Sequence, residues 1–395
     1  MNPLERRASA SLSAIFALRM LGLFLVLPVF ALEARQYPGG DDPALLGLAL
    51  GIYGLTQAFL QLPFGMASDH FGRKRVIVVG LFIFALGSFW AAAANDLTHL
   101  LVGRSLQGAG AVSAAVTALL ADLTRDEVRT KAMALVGTSI GLMFAFSLVV
   151  APVLVGYVGL SGLFGLTGVL ALLGVLVVVW GAPPAPPQIK VPARGGLKAV
   201  LRHAGLMRLN FGVFVLHAVQ LAMWVAVPAL LVQAGLAKSD HWQVYLAAVL
   251  GSFVLIGVVF AMERRGHLKK AFLGAIALIA LVQIGLLVQS SGTTSLGAMA
   301  ALLFLFFCGF NALEATQPSL ASRMAPIQVR GTALGVYNTL QSLGFFVGGW
   351  GGGWLVKNWG SPALFACCAV AMLAWLLLAL PMHPTARAEP VLDTA

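Results

Sequence analysis

Long apolar runs separated by short polar breaks fill most of the chain. Each run holds about 20 residues, the length that an α-helix needs to cross a hydrocarbon core about 30 Å thick. The pattern predicts an all-α membrane protein with twelve transmembrane helices. These spans are expected at 12–32, 44–67, 76–94, 97–121, 132–157, 160–180, 209–234, 242–262, 271–290, 296–321, 331–355 and 361–381. Because 160–180 and 361–381 directly follow their predecessors, a count of eleven is the alternative.

A proline-rich polar segment divides these spans into two sets of six. It begins with Pro183-Pro184-Ala185-Pro186-Pro187, which cannot continue a helix and should be extended. We therefore expect an N-terminal six-helix bundle, a cytoplasmic linker, a C-terminal six-helix bundle and a short cytoplasmic tail. Their boundaries are predicted at 1–181, 182–208, 209–381 and 382–395. Two parallel halves of six spans are a known architecture of secondary transporters.

Composition excludes an ordinary soluble protein, because 59% of the residues are hydrophobic and only 10% are charged. Soluble domains carry roughly 25% charged residues. The net charge of +11 has a topological explanation. If the N-terminus is inside, twenty Lys and Arg residues lie on the inner side and three, Arg35, Lys238 and Lys357, on the outer side. This bias predicts cytoplasmic termini and contact with membrane lipid rather than with nucleic acid.

The sequence has no pattern typical of an enzyme. It contains no nucleophile elbow, no phosphate-binding loop and no metal-ligand spacing, and its three cysteines lie in apolar segments. We therefore expect neither enzymatic activity nor a metal site.

A charged, glycine-marked segment joins the second and third spans. Its sequence is Gly65-Met66-Ala67-Ser68-Asp69-His70-Phe71-Gly72-Arg73-Lys74-Arg75. We expect a tight loop here, with Gly65 and Gly72 supplying backbone freedom at its two ends. Asp69 lies four residues before Arg73, which indicates a charge latch, and Asp122 at the inner end of the fourth span is the nearest candidate partner. The alternative is a plain topological anchor.

This segment resembles the signature loop of the major facilitator superfamily, usually written G-x-L-a-D-R-x-G-R-K. Gly65, Asp69, Gly72, Arg73 and Lys74 match that signature, whereas Ala67 and His70 replace the usual Leu and Arg. The fourth span contains Arg104-Ser105-Leu106-Gln107-Gly108-Ala109-Gly110-Ala111, which is similar to the family's R-x-x-Q-G-x-G-A element. The resemblance implies two six-helix bundles around a central cavity that work by alternating access. It also implies that Asp69 faces the start of the eleventh span, around 330–332.

Two further segments look closest to YajR-type proton-driven drug-efflux-like transporters. They are Phe16-Ala17-Leu18-Arg19-Met20-Leu21-Gly22 and Asn311-Ala312-Leu313-Glu314-Ala315. Many such transporters carry a small cytosolic C-terminal domain, which we expect this chain to lack, because about 14 residues follow its last predicted span. The resemblance implies a secondary active transporter of a bacterial inner membrane, a proton-coupled antiporter exporting small lipophilic compounds. We expect it to act as a monomer. The alternative is a proton-coupled symporter or facilitator that imports a nutrient or organic anion.

Glu314 is the only acidic residue in the interior of a predicted span. A carboxyl group in that environment can bind and release a proton, so we expect Glu314 to carry the coupling proton, with no other cofactor. A hydrogen-bonded structural carboxyl and a fixed counter-charge for a cationic substrate are the alternatives. Arg104 is a buried cation by its position in the fourth span. The resemblance implies that Arg104 supports proton handling, and a structural arginine that caps backbone carbonyls is the alternative.

Polar residues at helical spacing mark the expected substrate cavity. The second and eleventh spans share a Tyr-x-x-x-Gln spacing, which places each pair on one helix face. On the seventh span, Gln220 shares the spacing of His217 and Trp224. The predicted cavity residues are Arg19, Tyr53, Gln57, Gln107, His217, Trp224, Asn311, Tyr337, Asn338 and Gln341. Helix packing is the alternative for each of them, and Arg19 could pair with an acid or bind an anionic substrate group.

Overall fold

The computed structural model describes residues 1–184, 196–325 and 330–382. Within its helices, the side chains at 69, 126–127, 129–130, 134, 254–260, 263–264, 322 and 330–331 are not described. In these ranges the chain is helical and contains no strand, so the all-α prediction is confirmed. The α-helices are α1 (Pro3–Glu33), α2 (Pro43–Phe71), α3 (Arg73–Ala92), α4 (Leu97–Ala109), α5 (Ser113–Asp122), α6 (Asp126–Leu176), α7 (Gly196–Arg202), α8 (Ala204–Gln233), α9 (His241–Arg264), α10 (Leu268–Ser291), α11 (Leu296–Met324) and α12 (Arg330–Ala379).

Among the described residues, eight helical segments are long and apolar enough to cross a membrane. Two of them lie in α6 and α12, which have 51 and 50 residues. At 1.5 Å per residue each of these helices would extend about 75 Å, more than twice the hydrocarbon core. Each contains one non-helical glycine, Gly159 with φ 65° and Gly360 with φ 80°. We therefore interpret α6 and α12 as two spans each, joined end to end.

The remaining predicted spans fall in α9 and in the interrupted pair α4 and α5. Residues 110–112 separate α4 from α5 and make each too short to cross alone. The interruption lies where glycines allow close backbone approach. A Cβ atom on Gly108 would overlap the carbonyl oxygen of Tyr53 in α2, and one on Gly110 would lie 2.7 Å from Phe84 Cβ in α3.

Left-handed glycines recur at matching places in the two halves of the chain. Among the described residues, every positive φ belongs to a glycine. These glycines are Gly39, Gly72 and Gly159 in the first half, and Gly235, Gly266 and Gly360 in the second. They occupy the first, second and fifth connections between spans in each half. Because only glycine adopts this conformation without strain, the matching positions show that the two halves are built alike.

The two halves touch closely at one end of the molecule. We call the face where the chain begins the terminal face, and the opposite one the distal face. On the distal side, α2 packs directly against α12 through glycines. A Cβ atom on Gly47 would overlap the carbonyl oxygen of Gly349, and one on Gly353 would overlap that of Pro43. Nearer the terminal face, Gly141 of α6 and Gly335 of α12 adjoin open space.

Two ion pairs cross between the halves at the distal face. Asp42, the N-cap of α2, lies 2.6 Å from Lys357 Nζ, and Glu33 at the end of α1 lies 3.2 Å from Lys238 Nζ. In both pairs the acid belongs to the first half and the lysine to the second. Such exposed pairs contribute about 0–1 kcal/mol each. Together with the glycine contact, they hold the distal end closed.

The Asp42–Lys357 pair makes distal closure sensitive to acid and to charge. The hydrogen bond from Lys357 lowers the pKa of Asp42 below its usual value. The stabilisation of the distal-closed state by this ion pair is therefore complete above about pH 3.9, the ordinary pKa of an aspartate. It is lost as the pH falls through the lowered pKa of Asp42. We expect Asp42→Asn to shift the ratio of distal-closed to distal-open molecules by up to about fivefold. The reversed pair Asp42→Lys with Lys357→Asp should restore it.

Electron–electron distances between spin labels at Asp41→Cys and Ser239→Cys would report this ratio, because both residues are exposed on distal connections of opposite halves. The native cysteines 308, 367 and 368 would be replaced first. Arg35→Gln, a distal cation outside both pairs, is the matched control. An unchanged distance distribution in Asp42→Asn would show that the pair contributes nothing to closure.

Candidate transport site

A carboxyl group and an imidazole meet near the middle of the second half. Glu314 of α11 has Oε1 3.2 Å from Nε2 of His217 in α8. Gln341 of α12 has its amide nitrogen 2.7 Å from the same ring nitrogen, and His217 Nδ1 lies 2.8 Å from the carbonyl oxygen of Val213. Three spans therefore converge on one imidazole.

The hydrogen-bonding pattern makes this cluster a place for one proton. A carbonyl oxygen only accepts, so His217 Nδ1 carries a hydrogen, and Nε2 of the neutral ring is an acceptor. If Glu314 were ionised, its oxygen and Nε2 would both be acceptors, with no hydrogen between the two atoms. Glu314 Oε1 lies within ion-pair distance of His217 Nε2 but has no hydrogen-bond partner among the described residues. The contact is satisfied when one proton sits on the carboxyl or on the ring, and Gln341 can present either its amide hydrogen or its oxygen to match.

Aromatic rings separate this cluster from the distal side. Phe345 and Phe310 meet the His217 ring edge-on, with centroids 4.9 and 6.1 Å away. Phe144 of α6 contacts Phe310 across the interface between the halves, with centroids 6.1 Å apart. The side chain of His217 is 2% exposed, whereas that of Glu314 is 35% exposed. The Glu314 side chain is therefore the more accessible member of the pair, although Oε1, the oxygen that faces His217, is itself buried.

Other predicted cavity residues of the second half lie around this cluster without joining it. Tyr337 donates from its hydroxyl to Gln317 Oε1 at 3.3 Å, and Asn311 donates to Ser252 Oγ at 2.8 Å. Asn338 is half-buried one turn before Ser342, whose hydroxyl bonds its backbone carbonyl. Trp224 does not reach Glu314; it is buried and meets the ring of Tyr245 edge-on.

Two fully buried arginines share one tyrosine in the first half. Arg19 donates to Ser113 Oγ at 2.9 Å and to the Tyr53 hydroxyl at 2.7 Å. Arg104 lies over the Tyr53 ring, with its guanidinium carbon 5.3 Å from the centroid. Each arginine is 1% exposed, and within the described ranges neither lies within ion-pair distance of a carboxylate.

The contacts of Arg104 match a capping role. It donates to the backbone oxygens of Ala49 and Leu50 in α2, at 3.2 Å each, and to Gln107 Oε1 at 2.9 Å. Gln107 in turn donates to Ser88 Oγ of α3 at 2.8 Å. The side chain of Gln57, also predicted to line the cavity, lies 3.4 Å from Gln61 and so turns along its own helix.

The predicted switch residues lie at the terminal ends of α2, α3 and α5. Arg73 donates from Nε to Asp122 Oδ2 at 3.0 Å and from Nη1 to Ser68 Oγ at 2.7 Å. This arrangement ties three spans of the first half together. The side chain of Asp69 and those at 330–331 lie outside the described residues, so the predicted contact between them stays a prediction.

The predicted loop over 65–75 is wrong. Helix α2 continues through Gly65 to Phe71, and Gly72 alone, with φ 97°, separates it from α3. Gly65 is helical and supplies no turn; a Cβ atom there would lie 3.7 Å from Ala114 Cβ of α5. A cluster of charges and glycines indicated a loop, but one left-handed glycine suffices to reverse the chain.

The sequence did not reveal an ion pair between a buried carboxylate, Glu5, and an exposed arginine, Arg125. Glu5 is 2% exposed and accepts from Arg125 Nε at 2.8 Å, which joins the start of α1 to the start of α6. It also completes a capping box with Asn2, since each accepts from the other's backbone N–H at 2.7 Å. The spacing Asn2-x-x-Glu5 could have revealed this capping role.

Comparison with known proteins agrees with this architecture. A family model described as Major Facilitator Superfamily matches residues 12–349. The chain is 40% identical to the inner membrane transport protein YajR of Escherichia coli (strain K12), covering 97% of this chain and 84% of that one. It is 26% identical to the multidrug resistance protein MdtH of Klebsiella pneumoniae (strain 342), covering 95% and 94%.

Solved structures show the same fold. A bacterial homologue of the human lysosomal transporter Spinster, in an inward-facing and occupied conformation, aligns over 99% of this chain and 100% of its own, with a TM-score of 0.76 at 14% identity. The chain belongs to the major facilitator superfamily, the class of membrane transporters whose fold has two six-helix bundles. It is a transporter rather than an enzyme, and the predicted resemblance is confirmed.

Proposed function

We propose that this protein is a proton-coupled antiporter that exports small lipophilic compounds from a bacterial cytoplasm by alternating access. The observation that carries the proposal is the 3.2 Å approach of the Glu314 carboxyl to the His217 ring. One shared proton would satisfy both groups. The basic residues counted above support a cytoplasmic terminal face in the inner membrane. The two halves that would rock against each other belong to one chain, which supports a monomer binding a small-molecule substrate.

The proposed cycle uses the proton to choose between two states. With the distal end closed, Glu314 is accessible, releases its proton and lets substrate bind in the cavity. After the bundles rock, proton binding from the distal side displaces the substrate. A membrane potential of 100 mV supplies about 2.3 kcal/mol per net charge moved, so one-for-one exchange of a proton for a monovalent cation is driven by the pH difference alone. A ligand moves such an equilibrium only by binding the two states unequally, so the proton and substrate must do so in opposite senses.

The proposed conformational switch is the charged cluster at the terminal face. Arg73 and Asp122 hold α3 to α5 at 3.0 Å. Asp69, placed on the last turn of α2, is proposed to form the latch with the start of α12 in the state that is closed at this face. Protonation or loss of Asp69 would then favour opening toward the cytoplasm.

The aromatic rings near Glu314 and His217 favour lipophilic substrates. Phe24, Phe144, Phe310 and Phe345 form edge contacts around the proton site. A relative aligned over nearly the whole chain is named a multidrug resistance protein, which supports export of foreign compounds. Tyr53, Tyr337, Asn338 and Gln341 are the proposed polar contacts beside these rings.

One observation favours a second candidate, proton-coupled import of an organic anion. Arg19 and Arg104 are buried cations without a carboxylate within ion-pair distance among the described residues. An anionic substrate group would neutralise such a charge. Arg104 already donates from all three of its nitrogens, to two backbone carbonyls and to Gln107. Arg19 bonds to Ser113 and Tyr53, and its buried Nε alone has no partner among the described residues, which makes this the weaker candidate.

Transport by purified protein in liposomes separates the two. We expect a gradient with the distal side acid to drive ethidium, a lipophilic cation, toward the distal side while protons move the other way. Fluorescein and radiolabelled glucose serve as the organic-anion and nutrient probes. Movement of either probe with the proton toward the terminal side would favour import. Indifference of all three to the gradient would contradict proton coupling.

A further inference from the structure

A row of buried polar groups continues from the proton site toward the distal face. It consists of Gln220 and Trp224 on α8, His241 and Tyr245 on α9, and Gln283 on α10, each at most 4% exposed. Each of the five has one polar atom without a hydrogen-bond partner among the described residues: Gln220 Oε1, Trp224 Nε1, His241 Nε2, Tyr245 Oη and Gln283 Oε1. An unsatisfied buried group costs about 1–3 kcal/mol, so five in one region indicate something that bonds to them.

The groups are close enough to form one path. Gln220 lies three residues after His217, and Trp224 four residues further, so all three share one face of α8. The Trp224 and Tyr245 rings have centroids 5.6 Å apart, and those of Tyr245 and His241 are 6.0 Å apart. His241 begins α9 at the distal face.

A small cavity lies along this path. Its volume is about 10 Å³, and it is bounded by Gln220, Met223, Trp224, Leu303 and Phe307 among others. A cavity needs about 10–15 Å³ to admit one water, together with 2–4 polar partners. Gln220 and Trp224 bound this cavity, but the surface that faces it in this conformation is apolar. The unpartnered Gln220 Oε1 and Trp224 Nε1 must therefore turn toward the cavity to hold a water, and Gln283 contacts Met223 at its edge at 3.3 Å.

We propose that this row binds a file of water molecules and carries the coupling proton from the distal face to His217 and Glu314. The proposal rests on the antiport function stated above. The amide oxygens accept hydrogens from water, the indole donates one, and the Tyr245 hydroxyl does both. A proton taken from solvent by His241 passes to the first water. It then moves on as one O–H bond forms and the next breaks, and ends on His217 or Glu314 with nothing else consumed.

Charged neighbours surround the distal entrance. Lys238 and Asp240 form the turn that precedes His241, and Lys238 pairs with Glu33 across the interface between the halves. Opening of that pair as the distal end separates would expose His241, which is 1% exposed in the closed arrangement. The Glu33–Lys238 pair therefore both closes the distal end and covers the entrance to the path.

The path is interrupted at His217 in this conformation, as coupling requires. Nδ1 of the ring bonds to Val213, and Nε2 faces Gln341 and Glu314, so neither nitrogen is turned to Gln220. Phe310 and Phe345 hold the ring edge-on. A continuous path would leak protons while Glu314 is accessible from the other side. The ring must reorient before a proton can pass.

Transport measurements test the path with a matched control. The variants are Tyr245→Phe and Trp224→Phe, and the control is Trp375→Phe. Trp375 also carries a buried indole nitrogen without a partner among the described residues, but it packs against Phe272 and Gly212. In liposomes we expect both variants to slow gradient-driven ethidium transport by about tenfold or more. In Tyr245→Phe, exchange of labelled for unlabelled ethidium, which needs no net proton, should match the parent, and the control should match it in both assays.

Parent-like gradient-driven rates in both variants would overturn the path. An equal loss of exchange and of gradient-driven transport would also overturn it, because that result indicates damage to packing. If the parent itself ignores the gradient, the antiport function fails, and a second measurement then decides on the water file alone.

That measurement is deuterium exchange of indole N–H groups by ¹⁵N NMR in lipid nanodiscs. We expect the Trp224 indole hydrogen to exchange much faster than that of Trp375, because only Trp224 touches water. Equal protection of the two indoles would exclude a water file regardless of the transport results.

Discussion

Glu314→Gln should abolish the coupling of transport to the proton gradient. With two pH units across the membrane, one-for-one exchange of a monovalent cation for a proton supports about a 100-fold accumulation. Glutamine keeps the shape and the hydrogen-bonding ability of the carboxyl but cannot exchange a proton with His217. The ratio of ethidium concentrations across the membrane should therefore fall to the value reached without a pH gradient. Measuring final ethidium ratios in liposomes at several gradients gives the result directly.

The matched control for this variant is Glu33→Gln. It also removes one acid, but at the distal ion pair with Lys238, 3.2 Å away, and not at the proton site. We expect it to change the rate of transport without changing the final ratio, because the gate does not set the coupling. A Glu314→Gln protein that still accumulates ethidium in proportion to the gradient would remove Glu314 from the coupling step.

Adding one methyl group at the distal gate should open it. Gly47→Ala places a Cβ atom on the carbonyl oxygen of Gly349, so α2 and α12 must separate. Overpacking of this kind costs about 1–3 kcal/mol. The ratio of distal-closed to distal-open molecules should therefore fall by about 5- to 150-fold. The spin-label pair at 41 and 239 would show this as a longer distance.

Gly141→Ala and Gly335→Ala are the controls, since a Cβ atom at either position meets nothing within 4 Å. Both lie inside helices, where alanine is more favourable than glycine by about 0.5–1 kcal/mol. These variants should keep the parent distance and be at least as stable. A Gly47→Ala protein with the parent distance would mean that the close glycine contact does not control the gate.

Hydropathy alone located the helices, because each span must satisfy its own backbone in lipid and therefore needs a continuous apolar run. The span limits near Gly159 and Gly360 followed from the same argument, although no polar loop marks either turn. The prediction of a loop around Gly65 was wrong, because charged residues do not by themselves end a helix. Backbone hydrogen bonds continue through charged residues at a membrane edge, and the charges of 65–75 gave no sign that Gly72 alone breaks the helix.

The partners of the candidate site could not be deduced in this way. Spacing placed His217 and Glu314 on their helices, but nothing in the sequence determines which faces of α8 and α11 meet, 97 residues apart. The same holds for Asp42 with Lys357, which are separated by 315 residues. Periodicity describes one helix at a time, whereas these contacts depend on how two bundles dock.

The central claim is that Glu314 binds and releases a proton beside His217. Infrared difference spectroscopy of the purified protein, titrated through the pH range of transport, tests this without a substrate. A protonated carboxyl has a C=O stretch that a carboxylate lacks. We predict such a band that disappears as the pH rises, is missing in Glu314→Gln, and remains in Glu33→Gln. Identical difference spectra for the parent and Glu314→Gln would contradict the account.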